Sequence, residues 1–153
     1  MKHQKMPYRS FLDKFRSDSG RFSEHDSDYL DSVCRDVEAL LNTRQSSCMK
    51  QLASLNLDNS LLGYGLSDLS QYDPYSAQDQ TRISQAIVLA LHHFESRLHD
   101  IQAKVITPEK SDAGMLSIHI QAILIRPDSH EPVFFISEFN RLEGHFTIGK
   151  SHG

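Results

Sequence analysis

Apolar residues recur every three or four positions along residues 28–41. Leu30, Val33, Cys34, Val37, Leu40 and Leu41 fall within an arc of about 120° at 100° per residue, with Asp31, Arg35, Asp36 and Glu38 on the other side. The pattern predicts an amphipathic helix. Ser27 and Asp28 offer N-cap oxygens, acidic residues in the first turn suit the helix dipole, and Asn42-Thr43 marks the exit. A second helix is predicted to start after Asp73-Pro74-Tyr75 and run to about Phe94; Ser76 and Asp79 stand at capping-box spacing, with Asp in place of the usual Glu or Gln. Ile83, Ala86, Ile87, Ala90, Leu91 and Phe94 form its stripe. Val88 and Leu89 lie outside that stripe, so the helix is expected to be central and covered by other segments rather than a partner-facing edge.

After Leu98 the period changes from 3.6 to 2. Ile101, Ala103 and Val105 alternate with Asp100, Gln102 and Lys104, and residues 107–114 supply a turn. Leu116, Ile118, Ile120, Ala122 and Leu124 then alternate with Ser117, His119 and Gln121. A second turn, Arg126 through Pro132, leads to a strand at 133–136, and a last short strand is expected around 145–148. Helices first and an antiparallel meander last predict an α+β fold, with the helices packed on one face of the sheet. Upstream, Phe11-Leu12-Asp13-Lys14-Phe15 forms a short amphipathic piece, and a Ser/Asp/Gly-rich loop runs over 17–27. The expected organisation is a basic arm and polar loop over 1–27 and a single α+β domain over 28–150.

A chain of 153 residues hides roughly 70% of its unfolded surface, enough for a core without metal or disulfide help. Its net charge of −4 argues against general nucleic-acid binding. Lys2, Lys5, Arg9, Lys14, Arg16 and Arg21 make the opening stretch basic, ahead of an acidic cluster at Glu24, Asp26, Asp28 and Asp31. Such an arm reads as a solvated terminus before it reads as a docking element. Cys34 and Cys48 are the only thiols, which suits a reducing compartment and no disulfide. No apolar run approaches the ~20 residues of a membrane helix, and no secretory signal opens the chain, so a soluble cytoplasmic protein is expected.

Three short runs carry the distinctive residues: Leu40-Leu41-Asn42-Thr43-Arg44, Tyr64-Gly65-Leu66-Ser67-Asp68-Leu69 and Glu95-Ser96-Arg97-Leu98. Residues two apart do not face each other on a helix. At a helix-to-strand turn, Glu95 and Arg97 either point to one side or find separate partners; taken alone they read as a surface pair worth under ~1 kcal/mol. In the second run Gly63 and Gly65 permit a tight turn, and flanking leucines pin the loop to the core. Glu38 and Glu95 are the candidate carboxylates for a glycosidase, but the chain has no Trp to stack on sugar rings. His92, His93 and His99, with Glu95 among them and His119 in a strand, lack the His-Glu-x-x-His spacing of a zinc helix. No metal and no cofactor are expected.

In this order and at these intervals, the three runs resemble the TssE family, the small wedge subunit of the type VI secretion baseplate. That family is related to the "lysozyme-like" baseplate wedge protein of contractile-tailed phages. The likeness begins near Ser10-Phe11-Leu12-Asp13-Lys14-Phe15, is most specific in the helix ending Leu-Leu-Asn-Thr-Arg, and reaches the strands beyond Leu98. Ser96 and Ser67 stand where the family usually has proline, which leaves the helix exit and the loop less constrained. The resemblance implies a structural part, not an enzyme, working at the inner face of the cytoplasmic membrane. It implies large wedge partners (TssF, TssG, TssK), sheath partners (TssB, TssC) and the hub and spike, with a sheet edge on which sheath assembly begins. Glu95, Arg97, Leu98, Arg44 and Tyr64 are the partner-binding residues it points to. Glu95→Ala or Arg97→Ala is then expected to weaken capture by the large subunits while the fold largely survives. A peptidoglycan hydrolase is the alternative.

Overall fold

The computed structural model of the chain describes residues 26–45, 63–106 and 115–151. Two helices precede a four-stranded sheet: α1 (Asp26–Asn42), α2 (Ala77–Phe94), β1 (Leu98–Ile106), β2 (Met115–Ile125), β3 (His130–Asn140) and β4 (His145–Ser151). Each strand pairs antiparallel with the next, in the order β1-β2-β3-β4, which is the α+β meander that the change of period predicts. The basic arm, the amphipathic run at 11–15, most of the polar loop, Cys48 and the turn at 107–114 lie outside the described residues. Among the described residues, no helix is long and apolar enough to cross a membrane.

Helix α1 begins two residues before the pattern predicts, so Ser27 and Asp28 lie inside its first turn and not at the N-cap. Its stripe is buried at Val33, Val37, Leu40 and Leu41. At the start of α2, Ser76 is the N-cap and its hydroxyl accepts from the Asp79 N–H at 3.4 Å. The Asp79 carboxylate does not close the box on Ser76. It accepts from the Asp73 N–H at 3.1 Å, while the Ser76 N–H donates to the Asp73 carbonyl, so the cap ties down the preceding turn. Ile83, Ile87, Ala90, Leu91 and Phe94 are buried, but Leu89 is 59% exposed, so α2 is not covered on every side as its composition suggests.

Both helices pack on one face of the sheet. Leu116, Ile118, Ile120, Ala122 and Leu124 of β2 join Val133, Phe135 and Phe139 of β3 and Phe146 of β4 in one cluster with the helix stripes. The opposite face, with His119, Gln121, Phe134 and Glu138, is open. Strand β3 starts at His130, so Glu131 and Pro132 belong to it rather than to the preceding turn. The register explains how a proline fits there. The Ile125 N–H donates to the Arg97 carbonyl, so odd-numbered residues of β2 direct their backbone groups toward β1. Pro132 sits opposite Ile123, and its nitrogen therefore faces away from β2. No bond of the β2–β3 ladder is lost.

The two borders of the sheet differ. Helix α1 lies along β4, where the Asn42 side-chain amide donates to the Phe146 carbonyl at 2.9 Å and its oxygen accepts from the Phe146 N–H at 2.7 Å. The Glu38 carboxylate accepts from the Ile148 N–H at 3.1 Å. Side chains here do for β4 what a fifth strand would do. On β1, the register with β2 slips by one residue between His99 and Gln102, and Asp100 occupies the left-handed region at φ 50°. Aspartate tolerates that conformation better than most residues.

Candidate functional site

The three runs that stand far apart in sequence meet in space. Where α1 ends, the chain runs beside the second run: the Leu66 N–H donates to the Thr43 carbonyl at 2.8 Å and the Gln45 N–H to the Leu66 carbonyl at 2.7 Å, giving a parallel bridge of Arg44 with Leu66. Gly65 makes this approach possible. Its φ is +113°, and a Cβ there would lie 2.3 Å from the Thr43 carbonyl oxygen. One residue earlier, the Tyr64 ring packs edge-on against Phe94 at 5.2 Å between centroids, beside the start of the third run.

The third run turns back at once. The Glu95 N–H still closes the helix on the Leu91 carbonyl, and the Leu98 N–H donates to the Glu95 carbonyl at 3.2 Å. This reversal aims Glu95 and Arg97 inward, where they are 3% and 1% exposed, and the surface-pair reading of these residues is overturned. They face each other because the turn, unlike a helix, folds positions two apart onto one side. Glu95 Oε1 accepts from the backbone N–H of Arg97 at 3.1 Å and from its Nε–H at 2.7 Å, and Oε2 accepts from Nη2 at 2.5 Å. Arg97 then reaches α1, donating from Nη1 to the Ser32 hydroxyl at 3.0 Å and from Nη2 to the Asp36 carboxylate at 2.5 Å.

Tyr29 completes the cluster. Its ring centroid lies 5.7 Å from the Arg97 guanidinium carbon and 5.4 Å from that of Arg126, and its hydroxyl donates to the Ile125 carbonyl at 3.1 Å. Arg97 thus ties α1, the end of α2 and the border of β1 with β2. Burial works against its charge, but hydrogen bonds to Glu95 and the fields of Glu95 and Asp36 outweigh it and hold the guanidinium pKa above its usual range. Burial also raises the Tyr64 phenol, with Asp36 and Glu95 adding to the shift.

Of the five residues that the resemblance singles out, Glu95, Arg97, Leu98 and Tyr64 are buried and Arg44 is on the surface. The Arg44 side chain is 77% exposed and stands 3.5 Å from the Asp68 carboxylate, whose pKa is lowered chiefly by hydrogen bonds from Ser70. The expectation that the fold largely survives Glu95→Ala or Arg97→Ala does not stand. Either change strands a buried charge, which generally costs about 3–5 kcal/mol. The sequence pattern does not mark Ser32, Tyr29 or Arg126, and it puts Asp36 on the polar side of α1. The spacing of Ser32 and Asp36, four apart beside the apolar stripe, is the signal that could have marked them.

Neither candidate carboxylate of a glycosidase stands free. Glu95 is clamped by Arg97 and Glu38 binds the β4 backbone. A depression of about 400 Å³ lies elsewhere, over Ile136, Glu138, Thr147, Ile148 and Gly149. Among the described residues, no group of three or more His, Cys, Asp or Glu is arranged to hold a metal ion, and His92 and His93 are exposed on the last turn of α2.

Ser96, where the family resemblance calls for proline, occupies the second position of the turn closed by Leu98 and Glu95 and is exposed. Proline suits that position, and Glu95, at φ −117° and ψ 85°, already lies outside the α region that a following proline disfavours. Ser96→Pro is expected to stabilise the fold by about 0.5–1 kcal/mol by restricting the unfolded chain. Thermal denaturation should show a melting temperature about 2–4 °C higher; a lower one would mean the turn does not accept the fixed φ.

Two comparisons with known proteins bear on this joint. The sequence profile of a family described as baseplate wedge protein gp25 matches residues 27–128, a span that includes all three runs. No curated protein matches the chain.

Proposed function

This chain belongs to the baseplate wedge protein gp25 family, and on that premise we propose that it is the small wedge subunit of a type VI secretion baseplate. In that role it joins the large wedge subunits around the hub and spike and helps start the contractile sheath, in the cytoplasm against the inner membrane. The family is one of structural baseplate components. The observation that carries the finer reading is that the three runs are linked through neighbouring contacts, Arg44 bridging to Leu66, Tyr64 packing on Phe94, and Arg97 clamping Glu95 to Asp36 of α1. A catalyst keeps its carboxylates accessible to substrate. Here they are spent on fixing the angle between two helices and a sheet.

In this reading the five residues divide their work. Arg44, with Asp68, is placed to touch a partner. Glu95, Arg97, Leu98 and Tyr64 act from behind the surface by holding α1, the second run and β1 in one arrangement. The test is co-expression with the large wedge and sheath subunits of the same organism, followed by size-exclusion chromatography. A stable complex containing this chain is expected. Failure to enter any such complex, or cell-wall cleavage that disappears in Glu95→Gln, would overturn the proposal in favour of a hydrolase.

A further inference from the structure

The open face of the sheet carries a knob and a hole side by side. Phe134 of β3 projects from it, 40% exposed, next to the half-buried Ile136. Gly149 of β4 stands opposite Ile136 with no side chain, and the depression beside it lies against Ile136, Glu138 and Thr147. Charge on this face is divided as well. Lys104 and His119 face each other across β1 and β2, whereas Glu138 stands on β3. Among the described residues none of these three has an ionic partner. A surface with a knob and a hole, and with both signs of charge, can be complementary to itself.

Whether it is depends on where those features lie. Neighbouring strands stand about 4.8 Å apart and alternate residues of one strand about 6.8 Å apart, so the register places every outward side chain on the face. A twofold axis in the plane of contact, running from beside Ser117 diagonally across Ile136, lays Glu138 of a second copy over Lys104 and His119. The same rotation lays the second copy's Phe134 over Gly149, and Ile136 meets its own equivalent on the axis. The strands of the two sheets then cross at about 90°, one of the two ways in which sheets pack face to face. We propose that the open face, centred on Ile136, pairs with the same face of a second copy of this chain, each Phe134 filling the space beside the other's Gly149.

A different chain would have to carry a knob, a hole and charges of its own in this arrangement; a second copy supplies them by symmetry. The face measures about 19 Å across the four strands and about 24 Å along them. Pairing would remove on the order of 1,000 Å² from water over both copies, the lower end for a specific interface. A reversible dimer with a Kd on the order of 10–100 μM follows. The proposal stands on this face alone and not on the wedge reading, so either can fail without the other.

The test is sedimentation of the full chain from about 1 μM to about 1 mM, over which the mass should rise from one chain to two. Phe134→Ser removes the knob and is expected to weaken the dimer at least about tenfold. Glu138→Lys sets a lysine against Lys104 of the other copy and should weaken it about tenfold. Adding Lys104→Glu to Glu138→Lys reverses both signs and should return the Kd to within about threefold of the wild type, a rescue that a misfolded variant would not show. Independently of any variant, a mixture of isotope-labelled and unlabelled wild-type chain should give a nuclear Overhauser contact from the Ile136 methyl groups of one copy to those of the other. A chain that stays single to about 1 mM would overturn the proposal, whether its open face is bare or covered by another segment of the same chain. A dimer indifferent to Phe134→Ser and Glu138→Lys would overturn it too, by locating the contact on another surface, as would a missing Ile136 contact.

Discussion

Arg97→Met is expected to destabilise the fold by about 3–5 kcal/mol, the usual result of removing one member of a buried ion pair. The loss comes less from the bonds Arg97 makes than from what it leaves behind. Glu95 sits at 3% exposure with both oxygens bound to Arg97, and Asp36 and the Ser32 hydroxyl lose their donors at the same time. Thermal denaturation should show the melting temperature falling by about 10–15 °C. A double variant, Glu95→Leu with Arg97→Met, should recover much of that loss, because apolar residues of similar volume in place of a buried pair are commonly neutral. If the single variant melts within about 3 °C of the wild type, the clamp is not holding the joint.

Gly65→Ala is the second change with a large expected effect. Its methyl group would meet backbone, not a yielding side chain: the Thr43 carbonyl oxygen at 2.3 Å, its carbon at 2.9 Å and the Gln45 nitrogen at 3.1 Å. The φ of +113° adds strain for any residue with a Cβ. Relief requires the second run to move away from the end of α1, which breaks the Leu66–Thr43 and Gln45–Leu66 hydrogen bonds. The expected cost is about 3 kcal/mol, seen as a melting temperature about 10 °C lower. Gly144, where a Cβ would meet open space, provides the contrast: alanine there should cost only the strain of its φ of +65°. Equal losses at the two glycines would show that close backbone approach is not what Gly65 permits.

The periodic segments were legible because burial on one side writes itself into the order of residues. The stripes of α1 and α2 and the alternation of β2 are buried in the fold except at Leu30 and Ala86, which are half-buried. Proline misleads at position 132 because its nitrogen faces away from β2, so a breaker there removes no bond of that ladder. The Glu95–Arg97 pair reads as superficial from sequence because its burial depends on Ser32 and Asp36, 65 and 61 residues away from Arg97, and on a turn that local spacing does not reveal. Asn42 was identified as the end of a helix, which it is. Its second task on the Phe146 backbone depends on tertiary geometry alone.

That same Asn42 amide links the end of α1 to a residue 104 positions downstream. A contact across so much chain forms late, because the entropy of closing the intervening loop opposes it until other elements have docked. A ribosome delivers α1 long before Phe146 exists, so the nascent helix waits with its amide and its Glu38 carboxylate still solvated. Only when β4 emerges are these satisfied together. A prematurely terminated polypeptide would therefore lack the clasp and remain recognisable to proteases as unfinished.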